Sequence, residues 1–151
     1  MREPFGKDSF DAICCLFTSL GYFEQKLDDE LVFANAAAAL KPGGQFVVDF
    51  MNTRAVLRDL VPTEELEREG VRFTIQRSVE DGVLVKRIAV CDEEGEHHFE
   101  ERVQALLPEE LEAMAQRAGL LVEARTDGPV LSSFDPEHSQ RFVLWARKPA
   151  A

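Results

Sequence analysis

Two short apolar runs with a helix-length segment between them constrain the fold of this chain most strongly. The first run covers residues 11–17 and the second covers residues 45–50, and apolar residues are nearly continuous in both. Runs of this kind are typical of strands that are buried on both faces of a parallel sheet. A strand, a helix and a second strand with short connections predict a β–α–β unit with two parallel strands.

The segment between the two runs predicts a helix that starts at Asp28, its expected N-cap, and continues to about Leu40. Acidic residues in the first turn suit the helix dipole. The Lys-Pro-Gly-Gly sequence at residues 41–44 ends the helix. The apolar face of this helix is expected to contain Leu31, Ala34 and Ala38.

The second half of the chain predicts a short helix, an antiparallel meander of three strands, a longer helix and two further strands. Turn residues separate the strands of the meander, and a proline and a glycine bound the longer helix. In chain order, these elements are expected at residues 54–60, 71–106, 108–118, 120–124 and 141–147.

Length and charge narrow the class of protein. The chain has 151 residues and a net charge of -11, which suggests one soluble domain that folds without disulfides or a structural metal. Because phosphate backbones are bound mainly through clustered Lys and Arg, nucleic acid and anionic membranes are not expected as partners. We find no targeting segment and no membrane-length apolar run, so a cytoplasmic location is expected.

The cysteines and histidines are not spaced like a disulfide framework or a metal site. Cys14 and Cys15 are expected on opposite faces of one strand, and these two and Cys91 are expected to be buried in a reducing compartment. His97 and His98 also point to opposite faces of a strand, so they cannot easily bind one metal. No metal site is predicted.

Five segments together carry a resemblance to a known family. They are residues 10–13, 16–23, 39–44 (Ala-Leu-Lys-Pro-Gly-Gly), 108–111 (Pro-Glu-Glu-Leu) and 133–136 (Ser-Phe-Asp-Pro). In this order and spacing they resemble strands four to seven of class I S-adenosylmethionine-dependent methyltransferases. The resemblance implies an α/β fold with a partial Rossmann-like sheet in the order 4-5-7-6. Its last strand would be antiparallel, and the meander at 71–106 would be inserted into a single domain of residues 1–151.

Two cofactor-binding segments of that family have no counterpart in this sequence. These are the glycine-rich loop after the family's first strand and the acidic residue after its second. Gly43 and Gly44 precede a strand and cannot replace that loop. We therefore expect a truncated domain without its N-terminal half, which favours inactivity of the chain on its own. The first strand would then present an unpaired edge, Ala12 to Leu16, to a second copy (a homodimer) or to the missing half.

The resemblance also implies where ligands bind. Met1 and Arg2 match the loop that touches the adenine of S-adenosylmethionine, the expected cofactor. Leu16 and Phe17 match residues that line the cofactor. The segment around Gly21 and Tyr22 would face the substrate.

Ligands of open α/β sheets bind beyond the carboxyl ends of the parallel strands. This rule points to residues 16–19, and so adds Thr18 to the cofactor site. It also points to residues 49–52, and so adds Asp49 and Asn52 to the substrate site. The alternative for Leu16 and Phe17 is a place in the core. The alternative for Asp49, which we favour slightly, is a hydrogen bond to a turn.

These observations predict an S-adenosylmethionine-dependent methyltransferase that acts on a small molecule. No catalytic residue is predicted, because the sulfonium is already activated and the protein mainly aligns the reactants and excludes water. The alternative is a non-catalytic interaction module with a degenerate methyltransferase fold. A doubly wound dehydrogenase fits less well, since it would not normally end with an antiparallel strand.

Overall fold

The computed structural model describes residues 1–128 and 132–150. Its helices are α1 (Lys26–Ala39), α2 (Thr53–Arg58) and α3 (Pro108–Arg117). Its strands are β1 (Phe10–Cys15), β2 (Leu40–Met51), β3 (Thr63–Arg68), β4 (Val71–Glu80), β5 (Val83–Asp92), β6 (Gly95–Gln104), β7 (Leu121–Asp127), β8 (Ser132–Ser133) and β9 (Arg141–Arg147). Within the described ranges, no helix is long and apolar enough to cross a bilayer.

The chain divides into two compact units. The first consists of Met1–Arg58 together with Leu106–Ala151, and the second consists of Asp59–Ala105. The first unit holds the predicted β–α–β unit and the last helix. The second unit holds the meander.

The first unit is built on a sheet with the strand order β1-β2-β9-β7-β8. β1 and β2 are parallel, as predicted for the β–α–β unit, while β9 is antiparallel to both β2 and β7. Helix α1 contacts β2, α3 contacts β7 and β9, and the two helices contact each other. The helices therefore cover the same face of the sheet, where Phe33 and Phe46 pack edge to face with ring centroids 5.3 Å apart.

β1 is the edge strand of this sheet, and its burial differs from the prediction. The apolar run predicts burial on both faces, but Cys15 is the one buried residue of β1. The reason is its position, since within the described residues β1 pairs with β2 alone. The unpaired edge expected from Ala12 to Leu16 is therefore present.

The prediction for α1 was wrong in its N-cap and in its apolar face. The helix begins at Lys26, and the amide of Asp28 already donates to the carbonyl of Gln25, so Asp28 lies inside the first turn. The buried residues of α1 are Asp29, Val32, Phe33, Ala36, Ala37 and Ala39, whereas Leu31, Ala34 and Ala38 are exposed. Apolar residues of α1 lie on several sides of the helix, so their spacing alone does not predict which side is buried.

Two of the three cysteines are exposed, against the prediction. Cys14 lies on the unpaired edge strand, and Cys91 lies one residue before the end of β5. Cys15 is buried as predicted, with its Sγ 3.3 Å from Ser19 Oγ. Burial raises the pKa of the Cys15 thiol.

The second unit is an antiparallel sheet in the order β3-β4-β5-β6. Three of its strands match the predicted meander, and both predicted turns are present. Asp81 and Gly82 join β4 to β5 with φ angles of 49° and 76°, the left-handed values of a tight hairpin. β3 was missed because its sequence, Thr-Glu-Glu-Leu-Glu-Arg, has a single apolar residue and no alternation.

Helix α3 follows the prediction closely. It starts at Pro108, and Gly119 follows its end with a φ of 79°. Leu107 precedes the helix and has no polar side chain to cap it. Glu110 supplies one of the two hydrogen bonds of a capping box, because it accepts a 2.8 Å hydrogen bond from the Leu107 amide.

Candidate functional site

The candidate site lies at the carboxyl ends of β1 and β2, on a loop held by Asp49. The amide of Phe17 donates to Asp49 Oδ2 over 2.9 Å, and the amide of Thr18 donates to the Asp49 carbonyl over 3.1 Å. Phe17 and Thr18 have φ angles of 57° and 55°. This left-handed conformation costs about 1–2 kcal/mol for each non-glycine residue. The bonds to Asp49 offset that cost and fix the shape of the loop.

Arg141, the first residue of β9, fixes Asp49 in turn. Its Nε donates to Asp49 Oδ1 over 2.9 Å, and its Nη2 lies 2.8 Å from the same oxygen. The Asp49 side chain is 14% exposed. Both of its oxygens are therefore engaged within the chain, one by a guanidinium and one by a loop amide. The hydrogen bond to a turn is present, whereas contact of Asp49 with a substrate stays a prediction.

Leu16 and Phe17 are exposed at the surface rather than buried in the core. Leu16 is 41% exposed and Phe17 is 86% exposed. The core alternative is therefore wrong for both residues. The Phe17 ring therefore contributes exposed apolar surface at the carboxyl end of β1.

The first two residues lie along α1. Asn35 Nδ2 donates to the carbonyls of Met1 and Arg2 over 3.0 and 2.8 Å. The Arg2 guanidinium lies 5.3 Å from the centre of the Phe23 ring and 3.3 Å from Asp28 Oδ2. The start of the described chain is thus anchored beside the end of the loop that contains Gly21 and Tyr22.

Asp29, in the first turn of α1, holds the end of this loop at Gly21. Its Oδ1 accepts a 2.9 Å hydrogen bond from the amide of Gly21, which has a φ of 88°. Asp29 is fully buried, and none of the described residues donates a hydrogen bond to its Oδ2. Burial is the main cause that raises the pKa of Asp29 to about 6. Tyr22, the next residue after Gly21, is half exposed.

Asn52 is fully buried at the end of β2. Its Nδ2 donates to the carbonyls of Pro136 and Ser139 over 3.0 and 2.8 Å. Its carbonyl accepts the Val56 amide over 3.0 Å at the start of α2. Asn52 therefore ties the end of β2 to the loop before β9. Its place in a substrate site stays a prediction.

The structure thus brings Phe17, Thr18 and Asp49 together, as expected for the carboxyl ends of neighbouring parallel strands. It places Gly21 and Tyr22 at the far end of the same loop, and Asn52 inside the unit. Among the described residues, no group of His, Cys, Asp and Glu side chains is arranged to hold a metal ion.

Two residues that shape the site were missed from the sequence. Arg141 meets Asp49 because β9 pairs antiparallel with β2, with Met51 opposite Arg141. That register is not readable from local sequence. Asp29 did carry a signal, because it lies three and four residues before the buried Val32 and Phe33 and so shares their helix face.

The raised pKa of Asp29 predicts a pH-dependent stability. The folded protein holds this proton more tightly than the unfolded chain. The contribution of Asp29 to the free energy of unfolding is therefore complete below about pH 4 and is lost as pH rises through about 6. Asp29→Asn removes the titration. We expect the variant to gain about 2 kcal/mol relative to the wild type between about pH 4 and about pH 7. Urea denaturation at both pH values measures this gain, and a constant difference between the two proteins would contradict it.

No protein-family profile and no curated protein matches this sequence. Solved structures do match it. One is an S-adenosylmethionine-dependent methyltransferase from Clostridium acetobutylicum, at 18% identity and a TM-score of 0.82, covering 98% of this chain and 62% of the other. A second is the CcbJ methyltransferase from Streptomyces caelestis, at 22% identity and a TM-score of 0.83, covering 98% and 61%.

A third structure is CalS10, an amino pentose methyltransferase from Micromonospora echinaspora with S-adenosylmethionine bound. It matches at 20% identity and a TM-score of 0.67, and the match covers 97% of this chain and 61% of the other. The chain therefore has the fold of class I S-adenosylmethionine-dependent methyltransferases, a mixed α/β fold, and spans about three-fifths of the length of the chains it matches.

Proposed function

We propose that this chain forms the C-terminal part of an S-adenosylmethionine-dependent methyltransferase that acts on a small molecule. The observation that carries the proposal is the exposed loop after β1, with Phe17 held open by Asp49. In the proposed correspondence, β1, β2, β9 and β7 are strands four, five, seven and six of a partial Rossmann-like sheet. Their observed order and the antiparallel direction of β9 support this correspondence.

The loop has features that fit one wall of a cofactor site. Leu16 and Phe17 offer exposed apolar surface for the adenosyl group. Thr18 is held beside them by its hydrogen bond to the Asp49 carbonyl, and Met1 is anchored on α1 by Asn35. The described residues include no glycine-rich strand-to-helix loop. When bound, S-adenosylmethionine would supply an activated methyl group. The residues of this chain would bind and orient the reactants and would exclude water from them. We assign none of these residues an acid or base role.

The rest of the cofactor site is proposed to come from a strand that pairs along the open edge of β1. The exposed residues of this edge are Ala12, Cys14 and Leu16. A parallel strand at this edge would bring its own carboxyl end next to Phe17, and a ligand between the two ends would then contact both. A second wall of this kind would also cover apolar surface that an unpaired edge leaves in water.

The substrate is proposed to lie against Gly21 and Tyr22. The Gly21 amide is fixed by Asp29, so the backbone here is held in place while the Tyr22 ring stays half exposed. The solved methyltransferase CalS10 acts on an amino pentose. This likeness supports a small molecule as the methyl acceptor. Asn52 is fully buried, so it would support this site by fixing the end of β2 to the loop before β9 rather than by touching the substrate.

Phe17→Ala tests the cofactor wall. We expect this variant to bind S-adenosylhomocysteine about 10-fold more weakly than the wild type, because a stacked aromatic surface is lost. The melting temperature should be unchanged, since Phe17 is 86% exposed. Calorimetric titration measures the affinity.

Phe10→Ala is the matched control, because Phe10 is an exposed phenylalanine at the opposite end of β1. It should leave the affinity unchanged. Equal affinity of all three proteins would contradict the assignment of Phe17. A folded wild type that does not bind S-adenosylhomocysteine would mean that this chain forms no cofactor site on its own.

A further inference from the structure

We infer that a second copy of this chain packs on one face of the sheet in the second unit. The inference is independent of the proposed activity, because it concerns residues outside the candidate site. The face is defined by the register of the four strands. Its central residues, here called the apolar sheet face, are Leu66, Phe73, Ile75, Ile88, Val90 and Phe99.

The register places these side chains on one side of the sheet. Phe73 lies between Leu66 and Val90, and Ile88 lies between Ile75 and Phe99 in the next row. Neighbours directly opposite in antiparallel strands point to the same face. None of the six is buried, and Phe99 is 59% exposed. Six adjoining apolar residues that stay accessible form a larger apolar surface than scattered residues do.

The charges beside the apolar sheet face are balanced. Arg77 pairs with Glu64 over 2.7 Å, and Lys86 pairs with Glu101 over 3.7 Å. The two cations and two anions therefore add no net charge. Because the whole chain carries -11, two copies repel each other except where a neutral surface lets them approach.

The other side of the sheet differs in character. It carries Arg87 and Arg102 in a network with Glu80 and Glu100, next to His98. These charged side chains would lose their water if a partner covered them. The contrast between the two sides selects the apolar sheet face for packing.

The dimensions suffice for a dimer. β4, β5 and β6 have ten residues each. With about 3.3 Å for each residue and about 4.8 Å between strands, four strands present about 500–600 Å² on one side. Two copies would bury about 1,000–1,200 Å², which meets the threshold of about 1,000 Å² for a specific interface. A two-fold axis would place the same face of both copies in contact, at the usual separation of stacked sheets.

Phe99→Glu tests the inference by sedimentation velocity over a range of protein concentrations. We expect the wild type to dimerise and Phe99→Glu to weaken dimerisation at least about 100-fold, because each dimer would bury two unpaired carboxylates. His98→Glu is the matched control. It places the same new charge one residue away on the opposite side of the sheet, and it should leave the dimer intact.

Two further variants keep the result interpretable. Circular dichroism shows whether Phe99→Glu folds. If it does not, Val79→Glu replaces it in the test, because Val79 lies on the apolar side of the sheet and is exposed. Val79→Glu should also weaken the dimer. Ala12→Lys charges the open edge of β1 and should not affect the dimer. A wild type that stays monomeric overturns the inference. So does a dimer that survives Phe99→Glu and Val79→Glu, or one that Ala12→Lys dissociates.

Discussion

Asp49→Ala is expected to lower the free energy of unfolding by about 2–3 kcal/mol and to release the loop after β1. Two groups lose a partner in this variant, since the amide of Phe17 loses its acceptor and the half-buried Arg141 loses its carboxylate. The left-handed conformation of Phe17 thereby loses the side-chain bond that offsets its cost, while the Thr18 amide keeps its bond to the backbone carbonyl of residue 49. Urea denaturation measures the stability. Amide hydrogen exchange of Phe17 measures the order of the loop.

Asp11→Ala is the matched control for this variant. Asp11 also pairs with a cation, Lys41, but its side chain is 85% exposed. An exposed ion pair contributes about 0–1 kcal/mol, so the control should stay close to the wild type. Equal losses for Asp49→Ala and Asp11→Ala would mean that Asp49 does not organise the site.

Phe46→Ala is expected to lower the free energy of unfolding by about 3–5 kcal/mol. Phe46 is 1% exposed in the middle of β2 and packs edge to face against Phe33. Its removal leaves a cavity between the sheet and α1, which neighbouring side chains fill only in part. Denaturant unfolding monitored by circular dichroism measures the loss.

Phe17→Ala gives the corresponding comparison on an exposed ring. Removal of Phe17 should change the free energy of unfolding by less than about 0.5 kcal/mol. A loss for Phe17→Ala as large as that for Phe46→Ala would show that the Phe17 ring packs against the protein in solution. It would then not be available to a ligand.

The β–α–β unit and the last helix were predictable because their signals are local. Apolar runs, a helix-ending Lys-Pro-Gly-Gly sequence and a Pro108 start each depend on neighbouring residues alone. The buried side of α1 was not predictable in the same way. Leu31 and Phe33 are both apolar, and the choice between them depends on which side meets the sheet.

β1 shows the same limit for strands. Its sequence is as apolar as that of a strand buried on both faces, yet it lies at the edge of the sheet. Burial depends on the neighbours that a strand has, and local sequence does not encode them. β3 shows the reverse case, since a charged strand forms because β4 offers it a partner.

The position of the candidate site was predictable, but the residues that hold its loop in place were not. The rule for parallel strands placed Phe17, Thr18 and Asp49 at one edge, and the structure joins them through Asp49. Arg141 lies 92 residues from Asp49 in the sequence, and it reaches Asp49 only through the pairing of β9 with β2. Asp29 was predictable in principle from its helix face, but the acidic residues of the first turn were explained by the helix dipole alone.

The most direct test of the proposed cofactor wall is a map of amide chemical shifts while S-adenosylhomocysteine is added to the labelled chain. We expect the largest changes at Leu16, Phe17 and Thr18 at the carboxyl end of β1, with smaller changes at Gly21. The strands of the second unit should not respond. Changes confined to the second unit, or no change in a folded chain at saturating ligand, would contradict the assignment of this loop to the cofactor.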